Sequence, residues 1–262
     1  MSKIKNINPT NLYSLNTIDY NNIVDEDEEI INFFWNPNTL LLDKLYKRLD
    51  NMNINTNIID IGCSDRNKQF KKATHLLDYN NIPLDDKILI KFDLDFDKFK
   101  YDDKYFNYIY CRHTLEDIQN PQNAFSEIVR ISKQGFIETP SPLVEITNYI
   151  DGWATNLRGY IHHRYIVWTD MKTNTLKFLP KYPLIENIKY SNDLLKKNNY
   201  LLNNYSVYWN NYYVWDENNP PNILVYRNDI NMNIINDYAR LLNEAVISSI
   251  DHTTYYINMI NK

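Results

Sequence analysis

The chain has 262 residues, 44% of them hydrophobic, and a formal net charge of −5. That supports a sizeable core and argues against a general nucleic-acid binder, although a local basic patch stays open. No apolar run is long enough to span a bilayer, no signal-peptide pattern follows Met1, and 2 cysteines make neither a disulfide framework nor a zinc site. The expectation is a reducing, cytoplasmic setting with no membrane partner. Only 4 glycines occur while Asn, Ile, Lys and Tyr abound, the usage of an AT-rich genome such as that of a protist or large DNA virus.

Residues 1–55 read as an N-terminal lid or brace. The first 35 or so have no clear period, and Asp25–Glu29 is a solvated charge run. Asn36-Pro37 then suits a helix start, with Leu41, Leu45 and Leu49 on one face. The stretch Asn57–Ser64 has the apolar, β-branched character of a buried parallel strand, followed by Gly62. It is either an ordinary core strand and turn or the approach to a nucleotide-like ligand.

Ala73–Asp78 and Ile88–Asp93 each run apolar into an acid, and Tyr105–Cys111 is a fourth strand. Asn120-Pro121 opens a helix whose Ala124, Phe125, Ile128 and Val129 face one way, and Phe136–Glu138 is a fifth strand. From 140 to 183 the pattern changes to an insertion on the substrate side, with Tyr165–Thr169 and Leu176–Leu179 as a hairpin. Leu184–Asn199 reads as a helix, Leu201–Trp215 and Ile223–Tyr226 as a closing antiparallel pair, and Ile230 onward as a last helix. The expected fold is α/β: a doubly wound, mostly parallel, Rossmann-like seven-stranded sheet with a final antiparallel hairpin and an inserted β-hairpin after the fifth strand. One domain is expected over 1–262.

Several of these pieces fall in a familiar order: Ile58–Cys63, Asp78, Asp93-Leu94, then Phe106–Ile118 with His113 and Leu115-Glu116, then Asn120-Pro121 and Glu127–Ile131. From about Asn57 to Pro142 the sequence resembles the class I S-adenosylmethionine-dependent methyltransferases, in the subgroup acting on small molecules. The resemblance implies S-adenosylmethionine as cofactor. Asp60, Gly62 and Cys63 would lie in the loop under its methionine end, Asp78 would take the ribose hydroxyls, and Asp93 with Leu94 would meet the adenine. Two carboxylate oxygens accepting two hydroxyl protons is the reason for an acid at 78. Arg112 joins the same cofactor-binding set. Ser64 and Asp65 stand where further glycines are usual, and Asn107 where the fourth strand usually begins with an acid. A catalytically inactive module with the same fold is therefore the alternative to an enzyme.

Methyl transfer to a hydroxyl is helped by a base, and His is the side chain best suited near neutral pH. His113, His162 and His163 are the catalytic candidates; the plainer reading is that they cap a helix and brace the hairpin. Arg164, with its fixed fork of donors, and Tyr160 are candidate acceptor contacts. Tyr149, Trp153, Tyr160, Trp168 and Tyr182 suit a sugar face but equally a core. The expected activity is O-methylation of a small polar substrate such as a sugar or glycan, with nucleic acid not expected as a partner. No metal ligands are assigned; Asp95 and Asp97 read as solvated loop acids, and Asn219–Asn222 as a turn. Cys63 and Cys111 should be free thiols at the carboxyl ends of neighbouring strands.

Overall fold

The computed structural model describes residues 37–54, 56–63, 68–79, 87–151, 156–226 and 234–260. The first 36 residues of the expected lid, with the charge run at 25–29, lie outside these, as do Ser64, Asp65 and Trp153.

Five short strands run parallel: β1 (Ile58–Ile61), β2 (His75–Asp78), β3 (Ile88–Lys91), β4 (Tyr108–Arg112) and β5 (Gly135–Pro140). β1, β2 and β5 are buried at every position, because both faces of the sheet are covered. That is why these strands show no polar alternation, their polar residues being buried with the apolar ones. Between β5 and the next sheet strand come α3 (Pro142–Glu145), the hairpin β6 (Tyr165–Asp170) and β7 (Thr175–Pro180), and α4 (Asn192–Asn204). β8 (Asn210–Trp215) then joins β5 antiparallel, giving the order β3-β2-β1-β4-β5-β8.

Among the described residues the sheet thus has six strands where seven were expected. The last strand, β9 (Asn222–Val225), does not pair with β8 as an antiparallel hairpin; it pairs parallel with β7 in a separate sheet ordered β6-β7-β9. Polar anchors account for this. Asn174 Nδ2 donates to the carbonyls of Asn219 and Pro220, Asn222 Nδ2 donates to Thr175 Oγ1, and Asn222 N donates to the Tyr213 hydroxyl. A second correction lies just before β8. The expected helix over 184–199 divides into a 3-10 turn (Pro183–Asn187) and α4, and α4 continues through Leu201 and Leu202. Both leucines are buried with Tyr200 on the core side, and Ser191 caps the start by accepting from Leu194 N at 3.2 Å.

α1 (Leu40–Asp50) buries Leu41, Leu45 and Leu49, the expected stripe. It lies with α4 and the later half of α5 (Ile234–Ile260) against the sheet face bearing Ile58, Tyr108, Phe136 and Tyr212. The opposite face carries Ile59, Ile61, Ile109, Cys111 and Ile137. It is covered by α2 (Pro121–Ile131), through Ala124, Phe125 and Ile128, and by Val167, Leu176 and Phe178 of the small sheet. The outer face of that small sheet meets the early half of α5 through Trp168, Leu179, Tyr238 and Leu242. Trp168 is fully buried and stacks on Tyr226 at 5.8 Å, so it belongs to the core and offers no face to a sugar. Both cysteines are free thiols. Cys111 sits beside Ile61 in register, as the strand neighbours predict, yet the two thiols pack into cores on opposite faces of the sheet.

Candidate functional site

Strand order reverses between β1 and β4, and in an open α/β sheet that switch point opens a crevice at the carboxyl ends. Gly62 follows β1 with φ 76°, a left-handed value, and its N–H donates to Leu77 O at 2.9 Å. A Cβ there would lie 1.8 Å from Thr114 Oγ1, so only glycine lets the β1 and β4 loops close on each other. Asp60 is buried inside β1, and its Oδ2 accepts from Phe70 N at 2.7 Å, which ties down the far end of the loop. Burial pushes its carboxyl up to about 7. Cys63 is buried beside the Leu77 carbonyl, and burial pushes its thiol up to about 12, so it is no nucleophile.

Asp78 ends β2 with a buried side chain, next to the β1 loop. Asp93 follows β3 in a turn it stabilises itself, with Oδ1 accepting from Asp95 N at 3.0 Å. The side chain of Leu94 packs into the core beside Phe99. Asp95, expected to be solvated, accepts from Asn120 N at 2.7 Å and so fixes the start of α2. By chemistry the donor set fits an adenosine-type cofactor: one buried carboxylate ends the second strand, a glycine turn ends the first, and an acidic turn follows the third.

At the carboxyl ends of β4 and β5 lies a charged node that sequence reasoning missed. Glu138, fully buried in β5, accepts from Arg112 Nε at 3.0 Å and Nη2 at 2.8 Å, and from the Tyr46 hydroxyl at 2.9 Å. Arg112 also stacks over the Tyr46 ring at 4.6 Å. Arg112, expected in the cofactor-binding set, donates from Nε to Glu138 and from Nη2 to Glu138 and the Tyr46 hydroxyl. His113 comes next, in left-handed backbone at φ 46°, with Nε2 3.2 Å from Glu138 and Nδ1 3.7 Å from Glu116. Burial acts to raise the Glu138 carboxyl, but the His113 hydrogen bond and the Arg112 charge outweigh it and leave it below the usual glutamate value. Glu116 is the reverse case. It is buried, neither of its oxygens has a hydrogen-bond partner among the described residues, and burial holds its carboxyl well above the usual range.

The insertion folds back onto this corner. Arg164 N and Tyr165 N both donate to Glu116 O, at 2.9 and 3.1 Å. His163 is buried, with Nδ1 2.6 Å from Glu145 Oε1, while Lys181 Nζ lies 2.6 Å from Glu145 Oε2. Gly159 gives this trio room, since a Cβ there would come within 2.3 Å of Glu145. The Tyr160 ring lies tilted beside that of His163, 4.7 Å between ring centres, and is half-buried; Arg164 is exposed. His162 is exposed, with Nε2 4.0 Å from Asp117 Oδ2. Asp117, His162 and His163 each place a ligand-type atom within 4.8 Å of the other two. The three candidate histidines therefore gather around Glu116 and Asp117, though His163 is committed to Glu145. Tyr46, Glu138, Glu145 and Lys181 were given no role from sequence. An acid inside each of the buried runs Phe136–Pro140 and Pro142–Ile146 was the available signal, because a buried charge requires a partner.

Among the described residues, no helix is long and apolar enough to cross a membrane. No curated protein matches the sequence significantly. Residues 38–137 match the family model described as a methyltransferase domain. Among solved structures, the chain is similar to an S-adenosylmethionine-dependent methyltransferase from Mesorhizobium loti at 15% identity, covering 38% of this chain and 54% of that one, with a TM-score of 0.31. An Aquifex aeolicus methyltransferase gives 15% identity, 41% and 70% coverage and a TM-score of 0.31. A Listeria monocytogenes structure named as a methyltransferase of this kind gives 10% identity, 62% and 82% coverage and a TM-score of 0.32. The chain thus spans about half the length of the first of these proteins. The similarity to a methyltransferase domain is thus confined to 38–137, less than half of the chain, and this stretch carries β1 to β4 and the strand-end acids.

Proposed function

We propose that this chain methylates a hydroxyl of a small polar acceptor such as a sugar or glycan, with His113 as the proton acceptor. The observation that carries the reading is the position of His113: it follows β4 at the switch point, with Nε2 3.2 Å from a buried carboxylate. Glu138 stays ionised, so it favours the tautomer with the proton on Nε2 and leaves Nδ1 as the base. When bound, S-adenosylmethionine supplies an electrophilic methyl group on a sulfonium. The acceptor proton passes to Nδ1 as the oxygen attacks, and Glu138 stabilises the imidazolium that forms, the role a carboxylate plays behind any catalytic imidazole.

In this reading Asp78 holds the ribose, Asp93 and the backbone at Leu94 meet the adenine, and Asp60, Gly62 and Cys63 shape the loop under the methionine end. Arg164 and Tyr160, at the rim made by the insertion, are the acceptor contacts. His162 and His163 are weaker candidates for the base, because one is solvated and the other is held by Glu145. Calorimetry with S-adenosylmethionine is the first test, and submillimolar binding is expected. Transfer of labelled methyl to a panel of mono- and oligosaccharides is the second. His113→Ala should lower turnover about 10²–10⁴-fold, the usual contribution of a general base, with cofactor affinity unchanged. A His113→Ala protein with parental turnover refutes the assignment, and no cofactor binding at all supports the inactive module.

A further inference from the structure

We propose that Asp117, His162 and His163 form a binding site for one divalent transition cation, Zn²⁺ being the first choice. Two imidazoles and a carboxylate are the donor set of three-ligand sites that keep open positions for water or substrate. The three ligand atoms already lie within 4.8 Å of one another, with His162 Nε2 4.0 Å from Asp117 Oδ2. Ligands about 2 Å from a tetrahedral ion sit roughly 3.3 Å apart, so closure needs shifts of well under a side-chain rotamer change.

Two further observations point to a ligand. Asp117 Oδ1 is buried without a hydrogen-bond partner among the described residues, an acceptor with nothing to accept from. His163, itself buried, is oriented by Glu145: Nδ1 lies 2.6 Å from Oε1, which leaves Nε2 to carry the lone pair. A carboxylate behind a histidine is the support that metal-bound imidazoles characteristically have, fixing the tautomer and raising ligand basicity. Lys181 balances the charge of that carboxylate at 2.6 Å, so the negative charge left facing the cation is that of Asp117, with exposed Arg164 nearby. His162 is 59% exposed, which gives an ion a way in and leaves one side of the site open. Nitrogen donors select against Mg²⁺ and Ca²⁺, which prefer all-oxygen shells. The site needs no methyl transfer to exist. If it is filled, the His162 and His163 lone pairs are committed to the ion, and only His113 remains free to take a proton.

The test uses the full chain stripped of metal, titrated calorimetrically with Zn²⁺ and followed by the visible absorbance of Co²⁺ as a coordination readout. One ion per chain with micromolar or tighter affinity is expected. His162→Ala and Asp117→Asn, both at partly exposed positions, should each weaken binding at least tenfold and shift the Co²⁺ spectrum, with circular dichroism unchanged. Glu145→Gln should weaken it by about 10–100-fold, the usual effect of losing an orienting partner. Affinity should also fall as pH drops through the imidazole range, since protonated ligands cannot bind. Millimolar or weaker binding by the parent, or equal affinity in the His162→Ala and Asp117→Asn proteins, overturns the proposal.

Discussion

Glu138→Gln isolates the charged node that joins α1, β4 and β5. The carboxylate is fully buried and accepts from Arg112 twice and from Tyr46, and His113 lies 3.2 Å away. The amide keeps the shape but removes the charge that balances a guanidinium whose side chain is only 21% exposed. Breaking a buried pair from one side costs about 3–5 kcal/mol, and the retained carbonyl oxygen places the expected loss near the lower end, at about 3 kcal/mol. Tyr46→Phe removes one neutral donor and should cost only about 1 kcal/mol. Urea denaturation at pH 7 reads both, and a cycle with Arg112→Met separates the pair from the packing. The sign with pH is a second check. A carboxyl held below its unfolded value contributes stability that is present above that value and lost as pH falls through the folded one. The gap between parent and Glu138→Gln should therefore shrink below about pH 4. A variant within about 0.5 kcal/mol of the parent at pH 7 would refute the reasoning, since surface changes alone stay in that range.

Three other outcomes are expected. Gly62→Ala combines a left-handed backbone with a 1.8 Å overlap on Thr114, so it should cost more than about 2 kcal/mol and lower Tm by at least about 4 °C; adding Thr114→Ala should return part of the loss, and an unchanged Tm for Gly62→Ala would contradict the packing. His252 is buried and neutral, with burial pushing it down to about 4. Its stabilising effect is fully present above the unfolded imidazole value and drains away as pH falls toward 4, by up to about 3 kcal/mol, so His252→Leu should flatten this part of the acid limb; parallel acid limbs would rule it out. Asp78→Ala should weaken S-adenosylmethionine binding by about 1.5–3 kcal/mol in calorimetry, the range for hydrogen bonds to a charged group, and parental affinity in a folded variant would remove Asp78 from the site.

Local physics made the strands legible. Ile58–Ile61 and Phe136-Ile137 are buried on both faces, and that requirement is written as apolar runs without polar alternation, interrupted in β1 by Asp60 alone. The Asn120-Pro121 start of α2 is equally explicit, because Asn120 Oδ1 accepts from Asn123 N at 3.3 Å and Pro lacks an N–H to leave unpaired. What stayed hidden depends on partners distant in sequence. Nothing within Asn222–Val225 says that it joins β7 rather than β8; that choice lies with Asn174, Thr175 and Tyr213. Leu201 and Leu202 suit a strand until Tyr200 and Asn198 are seen buried on the same side of α4. At the site, the histidines stood out by type, but Glu138 and Glu145 looked like single acids in apolar runs. Their importance comes from Tyr46 and Lys181, 92 and 36 residues away in the chain.

The span of α5 bears on how the chain folds. Its early half holds the small sheet through Tyr238 and Leu242, and its later half meets the main sheet through Val246 and Ile250. At 27 residues it is about 40 Å long, a rod that reaches across both layers. Val246 shares a core with Leu45, about two hundred residues earlier in the chain, while Ile58 and Tyr108 pair across about fifty. Loop-closure entropy grows only with the logarithm of length, so this wider closure costs roughly 1 kcal/mol more than the strand pairing. The larger burden is on rate, because contacts this distant form slowly and after the nearer ones. Until α5 docks, the face carrying Tyr108 and Tyr212 is covered only by α1 and α4, and a folding intermediate with the rest of that aromatic surface open to water would be the species most prone to self-association.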